Sequence, residues 1–324
     1  MTAAPDLTVV LTGRNDNYGG DFSSRFFRAL RFNHALLASR DVAYDLVFVE
    51  WDPVPAQPTL ADLVRDAVPE VRDRLTTYVV DPAYHDACRL NPALAYLEYV
   101  AKNVGIRRAA GRFVLATNTD IYLSPGVVDR LAAGHVEPGV IYRANRIDVK
   151  LGADESHISQ DLLDDPRNHA PRAPIVPPLY AGATGDFVLL DHQSWTRLRG
   201  FNEVYRLARV GIDHNFLVKA FSSGCRIADL GAPVYHVAHL GSYQVSKSFV
   251  RGEAAAALWG NQQWHCHDVV YENPDTWGLA DAPTVARGPH SSRVVFDWHA
   301  VPPLVDLRRV VLPVSRLGQA DRAT

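Results

Sequence analysis

The sequence has 324 residues, of which 47% are hydrophobic and 21% are charged, a composition typical of a globular protein with a sizeable core. Its 33 Lys and Arg residues nearly balance its 36 Asp and Glu residues, and both signs are mixed along the chain. This balance argues against a nucleic-acid-binding surface. The three cysteines, Cys88, Cys225 and Cys266, lie far apart, which argues against a disulfide framework and for a reducing compartment.

The N-terminal segment MTAAPDLTVVLTGRND lacks the charged region and the long apolar region of a signal peptide. The sequence also shows no apolar run of the roughly 18–20 residues that span a bilayer. We therefore expect a cytoplasmic protein, either free or peripheral to the inner face of the membrane.

The first half alternates strand-like and helix-like segments, a pattern that predicts an α/β fold with a mostly parallel sheet and flanking helices. A Gly-rich loop, GRNDNYGGD, follows the first predicted strand. The predicted strands in this half comprise residues 7–12, 44–50, 76–80 and 112–117.

Three helices are predicted between these strands and after them. Large apolar residues recur at helical spacing over residues 22–38. The pair Asn91-Pro92 has the form of an N-cap followed by a first-turn proline, and predicts a helix that continues to Gly111. Ser124-Pro125 repeats this signal at the start of a shorter helix.

The regular pattern stops between residues 144 and 180, a segment rich in Pro, Asp and His that predicts a long ordered loop or lid. Periodicity returns after it and ends near residue 244. We therefore expect a domain of residues 1–244, with a nucleotide-binding half at 1–123 and an acceptor-side half at 124–244. Residues 245–324 are expected to form an irregular C-terminal extension that packs on the core.

Polar side chains recur where predicted strands end. Ligands of open α/β sheets bind at the carboxyl ends of the strands, so the recurrence predicts a binding site at this edge. The clusters are Thr12-Gly13-Arg14 with Asp16, Glu50 with Asp52, Asn118 through Asp120, and His236 with His239.

The order of these features resembles that of the GT-A glycosyltransferases, particularly family 2 and the C-terminal domain of the β-1,4-galactosyltransferase family. The resemblance extends over about residues 7–240 and is carried by the segments VVLTGRND, LVFVE, AKNVGIRRAAG with NTD, and GFNEVYRLARVGID. It implies the GT-A fold, the Rossmann-like fold of nucleotide-diphospho-sugar transferases. It also implies a hexosyltransferase activity that depends on Mn²⁺ or Mg²⁺.

The resemblance further implies which residues contact the donor. The acidic end of the second strand matches Glu50, and the helix before the D-x-D-like motif supplies a lysine and an asparagine. The implied donor-binding residues are Thr12, Gly13, Arg14, Glu50, Lys102, Asn103, Asn118, Thr119 and Asp120.

Release of a diphosphate needs its charge neutralised, and a divalent cation held by oxygen ligands does this. Asp120 matches the metal-binding acid of D-x-D, whereas Asn118 is neutral and is expected to contact a ribose hydroxyl or a metal-bound water. The alternative is a turn in which both side chains bond locally. His236 and His239 match a metal-binding pair of the galactosyltransferase family, and imidazole ligands favour Mn²⁺. The alternative is two histidines with no ligand role.

Asp213 stands where the family places the base of inverting enzymes, with Ile212 in place of the usual Glu. Such a base removes the proton of the acceptor hydroxyl. Alternatively, Asp213 caps the following helix, and an enzyme that retains configuration needs no such base. Gly185 and Asp186 are the implied acceptor-binding residues, and the alternative for Asp186 is a structural loop cap.

The expected partners are a nucleotide diphosphate sugar, with UDP-sugars favoured, and a saccharide or glycoconjugate acceptor, without nucleic acid. A GDP-mannose donor, a retaining mechanism and a homodimer remain open, as does a non-catalytic nucleotide-sugar-binding protein of the same fold. A sugar nucleotidyltransferase is disfavoured because the N-terminal loop lacks a GGxGTRL-like sequence. A loop at residues 241–250 is expected to close over the donor.

Overall fold

The fold is built on a nine-stranded mixed sheet, seen in a computed structural model that describes residues 5–92, 94–151, 157–206, 211–239, 269–302 and 312–313. The strands in these ranges are β1 (Leu7–Gly13), β2 (Tyr44–Trp51), β3 (Leu75–Val80), β4 (Phe113–Thr117), β5 (Ile121–Leu123), β6 (Val140–Arg143), β7 (Arg146–Val149), β8 (His169–Ala170), β9 (Phe187–Asp191), β10 (Arg226–Asp229), β11 (Val234–Val237), β12 (Val269–Val270), β13 (Thr284–Gly288), β14 (Ser291–Val294) and β15 (Leu312–Pro313). The α-helices are α1 (Phe22–Ala38), α2 (Leu60–Ala67), α3 (Pro82–Cys88), α4 (Glu98–Arg107), α5 (Pro125–Ala132), α6 (Gln160–Asp164), α7 (His192–Leu198) and α8 (Ile212–Ser222).

The strand order of the large sheet is β10-β6-β9-β4-β1-β2-β3-β14-β13. Strands β4, β1, β2, β3 and β14 run parallel, whereas β9 is antiparallel to both of its neighbours. The predicted α/β architecture with a mostly parallel central sheet and flanking helices is therefore confirmed. Because these parallel strands end at one edge, the polar residues after β1 and β4 lie side by side.

Helix α4 packs directly onto the centre of this sheet. A Cβ atom at Gly105 would lie 2.5 Å from Cγ1 of Val10 and 3.2 Å from Cγ2 of Val49. Glycine at this position therefore lets the helix approach β1 and β2 closely. Lys102 and Asn103 on the same helix are buried completely.

A second, four-stranded sheet has the order β5-β11-β7-β8. Strand β11 is antiparallel to β5 and parallel to β7, so that His236 lies opposite Ile121 on one side and Asp148 on the other. This register brings three distant parts of the sequence together beside Asp120.

The 144–180 segment is more regular than expected, because it contributes β7 and β8 to the second sheet and also contains α6. The expectation of an irregular loop is therefore wrong for β7, α6 and β8, whereas residues 171–180 contain no helix or strand. The high proline and histidine content concealed β7, which has only four residues and alternates charged with apolar side chains.

The expected irregularity of the 245–324 extension is wrong for residues 284–294. Strand β14 pairs in parallel with β3, and β13 pairs with β14, so that this hairpin forms the edge of the central sheet. β14 (SSRV) is mostly polar, and β13 (TVARG) is short, exposed and without alternation of apolar and polar residues, so neither strand shows a clear apolar pattern in the sequence. The expected closing loop at residues 241–250 lies outside the described residues.

The predicted helix from Asn91 begins later than expected, at Glu98. Leu94 and Leu97 are only 1% and 5% exposed, so that the preceding segment packs into the core as extended chain and loop. Tertiary burial thus outweighs the Asn-Pro start signal. Within the described ranges, none of the helices has both the length and the apolarity needed to cross a bilayer.

Gly105→Ala should destabilise the protein by about 1–3 kcal/mol, because the added methyl group overlaps Val10 in a packed interface. Urea denaturation measures the change. Gly288→Ala on edge strand β13 is the matched control, since its Cβ would meet no atom within 4 Å. Equal stability of the two variants would contradict the close-packing argument.

Candidate active site

A cavity opens at the carboxyl ends of β1 and β4, where the chain leaves the sheet. Its volume is about 180 Å³, below the roughly 300–1,000 Å³ of sites that enclose a whole drug-sized ligand. A larger ligand would therefore extend out of it. Six of the predicted donor-binding residues line this cavity: Thr12, Gly13, Arg14, Asn118, Thr119 and Asp120.

Other lining residues were not predicted from the sequence. They come from the loop after β1 and from the segment that leads into α4, which had been expected to be helical. These residues are Tyr18, Phe22, Leu94, Ala95, Tyr96 and Glu98. Asp16, which belongs to the polar cluster predicted after the first strand, lines the cavity beside them. The aromatic members give the cavity flat apolar walls, and such surfaces can stack on a nucleobase or a sugar ring.

Asp120, His236 and His239 form a cluster at the edge of this cavity. Their ligand atoms all lie within 4.8 Å of one another. Oδ2 of Asp120 is 3.3 Å from Nε2 of His239 and 3.8 Å from Nε2 of His236. The structure therefore brings together all three residues predicted to bind metal.

The second sheet orients the imidazole of His236. Nδ1 of His236 lies 3.0 Å from Oδ1 of Asp148, which leaves Nε2 directed toward Asp120. A carboxylate on the far nitrogen is the usual partner of a metal-binding histidine, because it fixes the tautomer and the ring orientation. Asp148 was missed in the sequence because its role depends on the pairing of β7 with β11.

The electrostatics of the cluster favour a negatively charged Asp120. Burial alone would raise its pKa, but the hydrogen bond with His239 and the charges of both histidines hold the pKa well below its usual range. For His236, burial would lower the pKa, but the hydrogen bond to Asp148 and the charge of Asp120 raise it. Asp120 and His236 thus each favour the charged form of the other.

The ligand atoms of Asp120, His236 and His239 suit a divalent transition metal. One carboxylate oxygen and two imidazole nitrogens converge, and this mixture suits Mn²⁺ better than it suits Mg²⁺. Binding would require both imidazoles to be neutral, so metal and proton would compete at this site.

Arg14 lies in the cavity wall but is already paired with two acids. Its guanidinium is 3.0 Å from Oδ2 of Asp16 and 3.1 Å from Oδ2 of Asp52. Its Nε also donates to the carbonyl of Asp52. Arg14 therefore links the loop after β1 to the end of β2, and its side chain is held in a fixed position.

Glu50, expected to contact the nucleotide, has a different role in the structure. Its two carboxylate oxygens accept hydrogen bonds from the backbone N–H groups of Leu60 and Ala61, at the start of α2. The side chain is completely buried, and burial raises its pKa to about 7 despite these bonds. Glu50 therefore caps a helix, because the loop after β2 returns the start of α2 to the end of the strand.

Lys102 and Asn103 also lie behind the cavity rather than in it. Nζ of Lys102 donates to Glu98, Asn118 and the carbonyl of Gly185, each at 2.7 Å, so all three of its protons are used. Asn103 donates to the carbonyl of Phe201 and to Glu203. The expected donor contacts of both residues are therefore corrected to internal support of the site.

The acceptor-side residues are brought together around the turn before β9. Oδ2 of Asp213 accepts a hydrogen bond from the backbone N–H of Gly185 at 2.9 Å. Asp213 does not cap α8, which begins after Gly211 without a side-chain cap. Asp186 accepts from Nδ2 of Asn118 at 2.7 Å. The predicted base and both predicted acceptor residues therefore form one contact network with Asn118.

No protein-family model matches the sequence, and no curated protein has a significant sequence match to it. Among solved structures, the chain is similar to residues 1–349 of S. aureus TarS, at 18% identity over 72% of this chain and with a TM-score of 0.43. It spans 60% of that structure's length.

Two further similar structures contain bound ligands. A mannosyltransferase from Pyrobaculum calidifontis with GDP-Man and Mn²⁺ is 15% identical over 86% of this chain and 73% of its own, with a TM-score of 0.44. A mutant of Drosophila β1,4-galactosyltransferase 7 with manganese, UDP-Gal and xylobiose is 9% identical over 91% of this chain and 97% of its own, with a TM-score of 0.46. At these identities and TM-scores, the likenesses assign neither an activity nor a ligand to this chain.

Mn²⁺ should bind the protein, and Asp120→Asn should weaken this binding because it removes the only carboxylate of the cluster among the described residues. The loss should exceed the roughly 10–100-fold seen when a residue that only orients a ligand is removed. Isothermal titration calorimetry measures both affinities. Asp66→Asn, at a side chain that is 91% exposed on α2, should bind Mn²⁺ like the parent. An unchanged affinity in Asp120→Asn would contradict the site.

Proposed function

We propose that this protein is a metal-dependent glycosyltransferase that moves a sugar from a nucleotide diphosphate sugar to a hydroxyl of a saccharide or glycoconjugate. The observation that supports this most directly is the cluster of Asp120, His236 and His239 at the edge of a cavity formed at the strand ends. Nucleotide ligands of open α/β sheets bind at such an edge. A cation at this cluster could therefore contact the phosphates of a nucleotide in the cavity.

The donor would occupy two adjoining regions. The nucleoside fits the cavity wall near Tyr18, Phe22 and Tyr96, because their rings provide stacking surfaces. The diphosphate would then extend toward Asp120. A divalent cation held by Asp120, His236 and His239 would neutralise the charge that develops on the leaving diphosphate.

Asp213 is the proposed base for the acceptor hydroxyl. Its carboxylate is half-buried, and Oδ2 is held by the N–H of Gly185. This bond fixes the side chain next to the turn that leads into β9, where the acceptor is proposed to bind. Removal of the hydroxyl proton by Asp213 would accompany attack on the anomeric carbon and inversion of its configuration.

A UDP-sugar is the favoured donor, with a GDP-sugar as the alternative. The lack of a second carboxylate at position 118 also leaves a non-catalytic nucleotide-sugar-binding protein as a rival. Binding without turnover would identify the rival, because a transferase releases nucleotide diphosphate at least by slow hydrolysis.

A panel of UDP, GDP and their sugars, tested with and without Mn²⁺, should include a nucleotide that raises the melting temperature only when the metal is present. Release of nucleotide diphosphate from the corresponding sugar should then be measurable. If no nucleotide stabilises the protein and no sugar donor is turned over, the proposed function is wrong.

Asp213→Asn should lower kcat by about 10²–10⁴-fold, the usual contribution of a positioned general base. The nucleotide-dependent shift in melting temperature should remain, because Asp213 is on the acceptor side. Asp281→Asn, at an exposed position before β13, is the control and should keep the parent rate. A kcat of Asp213→Asn equal to that of the parent would exclude Asp213 as the base.

A further inference from the structure

The side-chain amide of Asn118 lies between a buried cation and a buried anion. Its Oδ1 is 2.7 Å from Nζ of Lys102, and its Nδ2 is 2.7 Å from Oδ1 of Asp186. Lys102 is completely buried and Asp186 is 5% exposed. Both ends of the amide are therefore used inside the protein.

The orientation of this amide follows from the chemistry of its neighbours. A lysine ammonium can only donate, so it must face the carbonyl oxygen of Asn118. A carboxylate can only accept, so Asp186 must face the NH₂ group. A carboxylate at position 118 could satisfy Lys102 but would place two negative groups in contact at Asp186. Among the side chains of this length, the neutral amide alone bonds to both.

The network continues from Asp186 to the metal cluster. NH1 of Arg146 lies 2.6 Å from Oδ2 of Asp186, and NH2 of Arg146 lies 2.9 Å from Oδ1 of Asp148. Asp148 in turn holds Nδ1 of His236. Because the groups alternate in charge, each is held by neighbours of opposite sign. A repulsion introduced at Asp186 would therefore be transmitted to the imidazole of His236.

We propose that Asn118 is a positioning residue for the metal cluster and not a ligand of the metal or the donor. This inference rests on the proposed function, since it concerns the cation site of that activity. The first acid of a D-x-D motif is absent because position 118 must donate to Asp186 and accept from Lys102 at the same time. The amide holds Asp186 in place, and Asp186 in turn positions Arg146 and Asp148, which orient His236.

A carboxylate added at position 118 should weaken cation binding, although carboxylates are ordinarily good cation ligands. Asn118→Asp should reduce the affinity for Mn²⁺ by about 10-fold or more, the size of effect seen when a partner that orients a metal-binding histidine is lost. Asp186→Asn should also weaken binding, because the oxygen of the new amide can accept from only one of its two neighbours and the NH₂ group must then face a donor from Asn118 or from Arg146.

The double variant Asn118→Asp/Asp186→Asn should restore binding to within about 3-fold of the parent, a coupling between two contacting residues. In this variant the new carboxylate at 118 accepts from Lys102 and from the new amide at 186. The oxygen of that amide then accepts from Arg146. Every hydrogen bond of the network then has a donor and an acceptor again, and the negative charge has moved from position 186 to position 118.

The experiment uses the full chain and Mn²⁺ alone. Calorimetry gives the affinities of the parent, the two single variants and the double variant, and the electron paramagnetic resonance spectrum of the bound ion reports its ligand geometry. Gln193→Glu is the control for added charge, since this exposed residue follows β9 at the opposite edge of the sheet and should bind Mn²⁺ like the parent. Circular dichroism verifies that each variant is folded.

Tighter or unchanged Mn²⁺ binding by Asn118→Asp would overturn the proposal, because it would identify position 118 as a ligand position or as irrelevant. Failure of the double variant to recover relative to Asp186→Asn would also overturn it, even if Asn118→Asp does not fold. A parent protein that binds no Mn²⁺ would remove its basis.

The proposed function can fail separately. If the affinities follow the predicted order but no nucleotide sugar is turned over, the inference about Asn118 stands and the transferase activity does not. If a donor is turned over but the double variant does not recover Mn²⁺ binding, the transferase activity stands and the inference about Asn118 does not.

Discussion

The register of strand β11 between β5 and β7 is the constraint on which the site depends. It sets His236 opposite Ile121, the residue after Asp120, and opposite Asp148 on the other side. Side chains alternate faces along a strand, so a shift of one residue would turn His236 away from both partners. The placement of His236 beside Asp120 and beside Asp148, the carboxylate that orients its imidazole, therefore follows from two pairings of one short strand.

The buried charges behind the cavity are stabilised by mutual pairing. Lys102 is completely buried, yet its ammonium has Glu98, Asn118 and the carbonyl of Gly185 as acceptors. A buried charge that loses one partner is strongly destabilising, which makes such a network hard to vary one residue at a time. The network holds Asn118 and therefore fixes the segment after β4 that carries Asp120.

The sequence predicted the α/β class and the strand ends that line the cavity, because both depend on local signals. The apolar run at residues 113–117 followed by a polar break is visible without a structure, as is the pairing of His236 with His239. Glu50, Lys102 and Asn103 were expected to contact the donor because of the family resemblance. Their actual roles required knowing that α2 returns to the end of β2 and that α4 lies flat on β1 and β2.

The sequence alone indicated Asp120, His236 and His239 as candidate cation ligands, since residue types and their spacing are local properties. Only the tertiary structure decided which groups remain available to a ligand. Asp148 and Asp186 are about 30 and 70 residues from Asp120, and no periodicity connects them with it. The neutral side chain at position 118 is explained by Lys102 and Asp186, which lie at the two ends of its amide. Which end must accept and which must donate depends on neighbours that are distant in the sequence.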